Sequence, residues 1–360
     1  MDDHHLELVN SPTTYDGQHD PANTEQREAP SEGPVNVHRF QHDQSILALA
    51  VTDTNIYAGT QGGEVLVFSL HTYERVAQLQ AHNGSVLALS ISQDKGLLFS
   101  SAADRYVNVW ELDSLKHLAS IYSTYDIGDI FCHAYSSSLE TIYIGCQNTS
   151  IQWCNLKNYA SRPPPNPDSH PSQRHDRFFD SAGPGGIRTP RRGTPDPVTT
   201  ARRNLEIDKS HIHQFAHFGY VYCMLLARGV QAFQRDEVLI TGGGDGAIRF
   251  WGLDGAAGGA VHELGHLNDG KEAGESILTI ALDGSFLYSG KVEGEINVWD
   301  LETRQLLRTM RPHDHDILSL TFGGGYVFAA ALDGSVTVRS EALTPRIIML
   351  TVATEVRPQI

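Results

Sequence analysis

Several groupings in this chain carry chemistry by residue type and spacing. His313, Asp314, His315 and Asp316 form an unbroken run, and imidazoles beside carboxylates are ligands that zinc accepts. Gly-rich turns at 58–63 (AGTQGG) and 241–246 (TGGGDG) have the composition of loops that cradle phosphates. Cys132, Cys146, Cys154 and Cys223 are thiols that can ligate metal or attack a substrate. Thr189-Pro190-Arg191-Arg192 and Thr194-Pro195 offer hydroxyls to a proline-directed kinase, with arginines near enough to pair with the phosphate. Two sets repeat one order of imidazole, hydroxyl, carboxylate and indole: His82, Ser100, Asp104, Trp110 and His217, Thr241, Asp245, Trp251. A carboxylate can accept from an imidazole N–H, an imidazole can bond a hydroxyl, and an indole N–H is a donor.

The elements that must position these residues are repetitive. Strand-turn-strand segments lie at 56–68, 98–110, 142–153, 239–251, 287–299 and 327–339. They close on Phe68, Trp110, Trp153, Trp251, Trp299 and Arg339, at intervals of 42, 43, 98, 48 and 40 residues. The long interval contains a Pro-rich stretch, 157–210; without it the period is about 43, inside the range of roughly 40–45 for WD repeats. An apolar strand precedes each segment, as in ILALAV (46–51) and SVLALSI (85–91). A fourth follows in several units, such as RVAQLQA and QLLRTM. Four strands per unit, stacked radially, make a propeller blade.

Within these elements most of the first list loses its chemistry. Each Gly-rich turn joins two strands, whereas a phosphate loop opens onto a helix N-terminus. His313 falls on the ordinary loop position of its repeat. The cysteines form no CxxC pair and suit buried strand positions in a reducing compartment. No GxSxG or HExxH motif occurs. No catalytic residue, metal or cofactor is expected.

The units resemble WD40 repeats over most of 38–345, and the two complete sets are the residues that lock a blade in that family. The other units depart from it. Glu293 replaces the Asp before Trp299, and Gln147 replaces it before Trp153. Gly62 and Phe68 replace Asp and Trp in the first unit; the sixth keeps His313 and Asp333 but ends on Arg339. The expected fold is all-β: a WD40 propeller of six four-stranded blades, the last atypical, in the manner of a seven-bladed propeller cut short. Residues 346–360 read as an atypical tail.

A narrower resemblance rests on AGTQGGEVLVFSL (58–70), IYSTYDIGDIFC (121–132), IYIGCQNTSIQW (142–153), RPPPNPDSHPSQRHDRFFDSAGPGG (162–186) and HFGYVYCMLLARG (217–229). These are similar to the N-terminal propeller of the WD-repeat subunits of the fungal glutathione-degradation (DUG) complex. That resemblance implies a cytosolic assembly with a glutamine-amidotransferase-like partner, in which an M20-type peptidase domain follows the propeller. No M20 sequence is recognised in these 360 residues, so none of its metal ligands is carried over.

Composition bounds the rest. The chain is 40% hydrophobic and 19% charged, which excludes a wholly disordered protein. A net charge of −16 argues against a general nucleic-acid surface. The acidic start and the lack of an apolar run of about 18 residues argue against a secretory signal and a membrane helix. A cytoplasmic protein is expected. Residues 1–37 hold eight acids against one base and little that is apolar, so they are expected to be a disordered tail. The 157–210 stretch, with nine of the 16 prolines, is expected to be a mostly disordered insertion after the third blade.

Two functions then compete: a non-catalytic propeller that docks proteins, within or outside glutathione metabolism, and an enzyme with a site in the central channel. Propellers bind through rim loops on a rigid scaffold. Expected contacts flank the loop histidine positions: Asp43, Gln44, Asn83, Phe218, Tyr220, Asp314 and Asp316. Phe218 and Tyr220 lead, because exposed aromatics anchor interfaces; a place in the core is the equal alternative for both.

Overall fold

The computed structural model describes residues 38, 40, 42–163, 165, 203–270, 275–323, 326–340 and 347–351. Alternating β-branched and aromatic residues make each unit a meander of antiparallel strands. The first blade is β1 (Ile46–Val51), β2 (Asn55–Thr60), β3 (Glu64–Ser69) and β4 (Arg75–Gln80). The second is β5 (Val86–Ser92), β6 (Leu97–Ala102), β7 (Tyr106–Glu111) and β8 (His117–Ser123). The third is β9 (Ile130–Ser136), β10 (Thr141–Cys146), β11 (Ile151–Asn155) and, later in the chain, β13 (Ile212–His213). The fourth is β14 (Val221–Arg228), β15 (Glu237–Gly243), β16 (Ile248–Asp254) and β17 (Ala260–Leu267). The fifth is β18 (Ile277–Asp283), β19 (Phe286–Lys291), β20 (Ile296–Asp300) and β21 (Gln305–Met310). The sixth is β22 (Ile317–Gly323), β23 (Tyr326–Ala331), β24 (Ser335–Ser340) and β25 (Ile347–Thr351). The molecule is a six-bladed β-propeller. No α-helix occurs among the described residues, and none of their helices is long and apolar enough to cross a membrane.

The inner strands pack in chain order: β1 on β5, β5 on β9, β9 on β14, β14 on β18 and β18 on β22. The core is therefore a series of apolar layers between blades. One joins Tyr57, Val65 and Val67 to Leu98 and Trp110; another joins Tyr143, Ile151 and Trp153 to Leu239 and Trp251.

Three boundaries differ from the sequence reading. The Pro-rich stretch does not follow the third blade. It interrupts it, because β13 pairs with β11 after the insertion, Ile151 opposite His213. The end of that stretch is also a strand, β12 (Asn204–Ile207), which lies parallel to β8 and gives the second blade a fifth strand. Its two apolar residues, Leu205 and Ile207, enter the layer between the second and third blades beside Ile121, Ile142 and Leu156. Finally, β25 lies within the expected tail and completes the sixth blade. Residues 1–37, Thr189 and Thr194 lie outside the described residues.

The strand β12 makes a prediction. Leu205 is buried across two blades, so Leu205→Ala should cost about 2–5 kcal/mol. Urea unfolding should show a lower midpoint; an unchanged midpoint would mean that β12 is undocked in solution.

Candidate functional site

Each loop histidine lies just before an inner strand, and its carboxylate partner lies in the turn between the second and third strands. In the second blade His82 Nδ1 is 3.1 Å from Asp104 Oδ1, and its Nε2 is 2.8 Å from Ser100 Oγ. The Trp110 indole donates to the same Ser100 Oγ at 3.1 Å. In the fourth blade the matching distances are 2.8 Å to Asp245, 2.8 Å to Thr241 and 2.9 Å from Trp251 to Thr241. A carboxylate only accepts, so each Nδ1 carries the proton and each Nε2 accepts from the hydroxyl.

The connectivity is that of a Ser–His–Asp triad, but its surroundings forbid nucleophilic work. Ser100 and Thr241 are fully buried, and the indole occupies the oxygen that would attack. The network holds backbone instead. Asp104 Oδ2 accepts from the Asn83 N–H and Asp245 Oδ2 from the Phe218 N–H, both at 3.0 Å. The carboxylate thus pins the residue after each histidine, which faces outward. Burial pushes the Asp245 carboxyl up, but the bonds from His217 and the Phe218 and Ala247 N–H groups outweigh it and hold it well below the usual carboxylate range.

The other units reach the same rim by other means. The third departs most from its sequence reading. Trp153 pairs opposite Tyr143, whereas Trp110 pairs opposite Leu98, one step further along the hairpin. With a side-chain period of two, that step turns Trp153 to the other face of its blade. Its indole N–H has no hydrogen-bond partner among the described residues, and the ring packs instead between the third and fourth blades. Asn148, not Gln147, then takes the turn position of Asp104. It accepts from the Ser150 N–H as Asp104 does from Tyr106.

In the fifth blade Trp299 still bonds Ser289, at 3.0 Å, but there is no histidine. Lys291, 1% exposed, lies there 2.7 Å from Asp269, 2.9 Å from Glu275 and 3.1 Å from Glu295. Burial alone would lower the ammonium pKa, and the three carboxylates reverse this and raise it. The sequence reading missed this cluster; its one local signal is the Lys291–Glu295 spacing. In the sixth blade Ala329 stands where the hydroxyl should be. His313 Nε2 accordingly meets the Ala329 carbonyl at 3.2 Å, and its Nδ1 meets Ser335 Oγ at 2.9 Å. Asp333 bonds Ser335 rather than the imidazole.

The expected contact residues lie on these loops. Asp43, Gln44, Asn83 and Asp314 are exposed. Asp316 is partly buried and accepts from the Glu293 N–H of the preceding blade at 2.9 Å, so it serves as a joint. Phe218 is 88% exposed and Tyr220 41%. Tyr220 stacks on Phe131 at 5.8 Å, and Tyr222 meets both rings. Phe131 and Tyr222, which the sequence reading passed over, thus back Tyr220 across the third and fourth blades. No group of three or more metal-ligating side chains occurs among the described residues. All four cysteines are buried and unpaired, and burial pushes the Cys154 thiol up to about 11 and the Cys146 thiol to about 12.

Two expectations follow. Asp104→Ala and Asp245→Ala should each cost about 1–3 kcal/mol, since each strands a buried imidazole and frees a loop N–H. Asp333→Ala should cost less, having no imidazole bond to lose; equal shifts in urea midpoint for all three would contradict this. The second concerns His133, buried between Ser101 and Ser90, at 2.9 and 2.7 Å. Burial, with a smaller effect from His82, lowers its pKa from 6.5 to about 3. Between those values the unfolded chain binds a proton that the folded chain does not. Stability should therefore fall as pH drops from about 6.5 toward 3, and His133→Gln should flatten that slope in urea melts at pH 5 and 7.5.

Comparison with known proteins agrees with this geometry. The WD domain, G-beta repeat model matches residues 73–111. A probable di- and tripeptidase of Saccharomyces cerevisiae, DUG2, is 31% identical over 331 residues, covering 81% of this chain and 38% of that protein. The kinesin-like protein KIF21B of Mus musculus is 23% identical over 79% of this chain and 15% of its own. Mitochondrial division protein 1 of Schizosaccharomyces pombe is 25% identical over 71% and 35%. This chain thus spans well under half the length of each. Among solved structures, the computationally designed Ika8 protein superposes with a TM-score of 0.51 at 21% identity, over 83% of this chain and 72% of that one, a likeness of fold alone. Repeat match, blade architecture and locking networks together make this chain a WD40-repeat β-propeller, related in sequence to DUG2.

Proposed function

We propose that this propeller is a non-catalytic docking module of a cytoplasmic glutathione-degrading amidotransferase–peptidase complex, and that it binds its partner through the aromatic rim at Phe218 and Tyr220. The observation that carries this is the 31% identity to DUG2 across 81% of the chain. The glutathione assignment and the glutamine-amidotransferase-like partner come from the family resemblance of the sequence. The buried hydroxyls of the two networks support a structural role for the only Ser/Thr–His–Asp sets described. The wider likeness to kinesin-like and mitochondrial division proteins favours, as a second reading, a general scaffold with another partner.

Phe218→Ala combined with Tyr220→Ala should weaken binding to a glutamine-amidotransferase-like subunit by at least about tenfold, roughly the loss of one interface anchor. The melting temperature should stay unchanged. The pure chain should release no glutamate from glutathione, with or without zinc or manganese. Undiminished binding by the double variant would move the interface elsewhere, and metal-stimulated release would overturn the non-catalytic reading.

A further inference from the structure

The inner strand of every blade carries a β-bulge at its second residue: Leu47, Leu87, Phe131, Tyr222, Leu278 and Leu318. The residue before the bulge is fixed by packing between blades. A Cβ added at Gly59, Gly145, Gly242 or Gly290 would come within 2.5–2.7 Å of Val86, Val221, Ile277 or Ile317. The bulged residue and the one two before it escape that constraint, and none of them is fully buried.

The repeat has a default at these two positions. It is serine then leucine in the first, second and fifth blades: Ser45 with Leu47, Ser85 with Leu87, Ser276 with Leu278. The polar residue is a joint to the turn of the preceding blade. Ser85 Oγ donates to the Gln61 carbonyl at 3.0 Å, and Ser276 Oγ to the Gly244 carbonyl at 3.4 Å. Asp316 of the sixth blade makes the same joint by accepting the Glu293 N–H.

The third and fourth blades depart from this default side by side, with Asp129 and Phe131, then Tyr220 and Tyr222. Among the described residues the Asp129 carboxylate has no hydrogen bond or ion pair; the guanidinium of Arg105, in the turn of the preceding blade, pairs with Asp126 instead, at 3.0 Å. Burial raises the Asp129 pKa, an effect that Arg105 offsets in part and Asp104 adds to. Phe131 and Tyr220 stack with planes 20° apart, and Tyr222 is inclined to them by 50° and 66°. A half-buried carboxylate left open, where other blades satisfy the same position, marks a site completed from outside.

We infer that Asp129, Phe131 and Tyr220 form a subsite for an arginine side chain of the docked partner, an inference that rests on the docking function proposed above. An open carboxylate calls for a cation, and ring faces attract one. A guanidinium satisfies both at once, since its edge donates two parallel bonds while its plane stacks, whereas an ammonium has no plane to stack. Two residues of strand set the carboxylate and the Phe131 ring about 7 Å apart along the chain, within the span of one arginine side chain. The net charge of −16 favours a basic segment of the partner.

The test titrates the 360-residue chain by NMR with acetyl-Gly-Ser-Arg-Ser-Gly-amide and with its lysine and citrulline counterparts. The arginine peptide should bind at least about tenfold more tightly than the neutral citrulline one, and more tightly than the lysine one. Asp129→Ser, Phe131→Leu and Tyr220→Ser each restore the repeat's own default and should fold. Asp129→Ser should abolish the preference for arginine over citrulline without lowering the melting temperature. The two ring variants should weaken arginine binding by about three- to tenfold. Equal binding of arginine and citrulline peptides, or of arginine and lysine peptides, would overturn the inference. The glutamine-amidotransferase-like subunit separates it from the reading beneath it. A subunit that loses affinity for Phe218→Ala/Tyr220→Ala but not for Asp129→Ser would keep the docking surface and overturn the arginine subsite. A subunit that does not bind at all, with arginine-peptide binding still dependent on Asp129, would overturn the choice of partner and support the subsite.

Discussion

A blade is a sheet with two apolar faces, and it can bury them only against its neighbours. In this protein that burial rests on one recurrent contact, a Val or Ile of one inner strand seated over a residue without bulk in the blade before. Strands in a sheet stand about 4.8 Å apart and packed sheets about 10 Å, so the blades approach this closely only where a side chain is small or absent. Gly59, Gly145, Gly242 and Gly290 are therefore set by the neighbouring blade rather than by their own strand.

That constraint explains why the polar networks vary so freely. The His–hydroxyl–Asp–Trp set is complete only in the second and fourth blades. The fifth, which has no histidine, buries Lys291 among three carboxylates, and the third retains its tryptophan only as packing. The apolar layers between blades persist where the networks differ, and the networks fix where the rim loops sit. Asp104 and Asp245 do so directly, by accepting the N–H of Asn83 and Phe218. A buried network that spends its hydroxyl on an indole is unfit for catalysis and well suited to holding a loop still, which a docking surface requires.

The Pro-rich stretch follows the same logic. Its last residues return to the previous blade as β12 and put Leu205 and Ile207 into the layer between the second and third blades. The insertion is thereby anchored at both ends, by β11 before it and by β12 and β13 after it.

Repeat period, strand alternation and the two complete locking sets are local patterns, so the sequence by itself determined the fold class, the six units and the partners of His82 and His217. The sequence placed Phe218 beside its loop histidine but left it between rim and core, and only the structure shows it exposed. Other features depended on what lies across the molecule. Trp153 stands one residue short of its aligned position, and only strand pairing reveals that it faces the next blade. Lys291 is a strand residue whose role comes from Asp269 and Glu275, brought to it by folding. The pattern of β12 is too short to announce a strand, and its parallel partner lies more than 80 residues away. Whether Ile46 is buried is likewise invisible in ILALAV. Alternation says which side chains share a face, and only the tertiary structure says whether anything covers it.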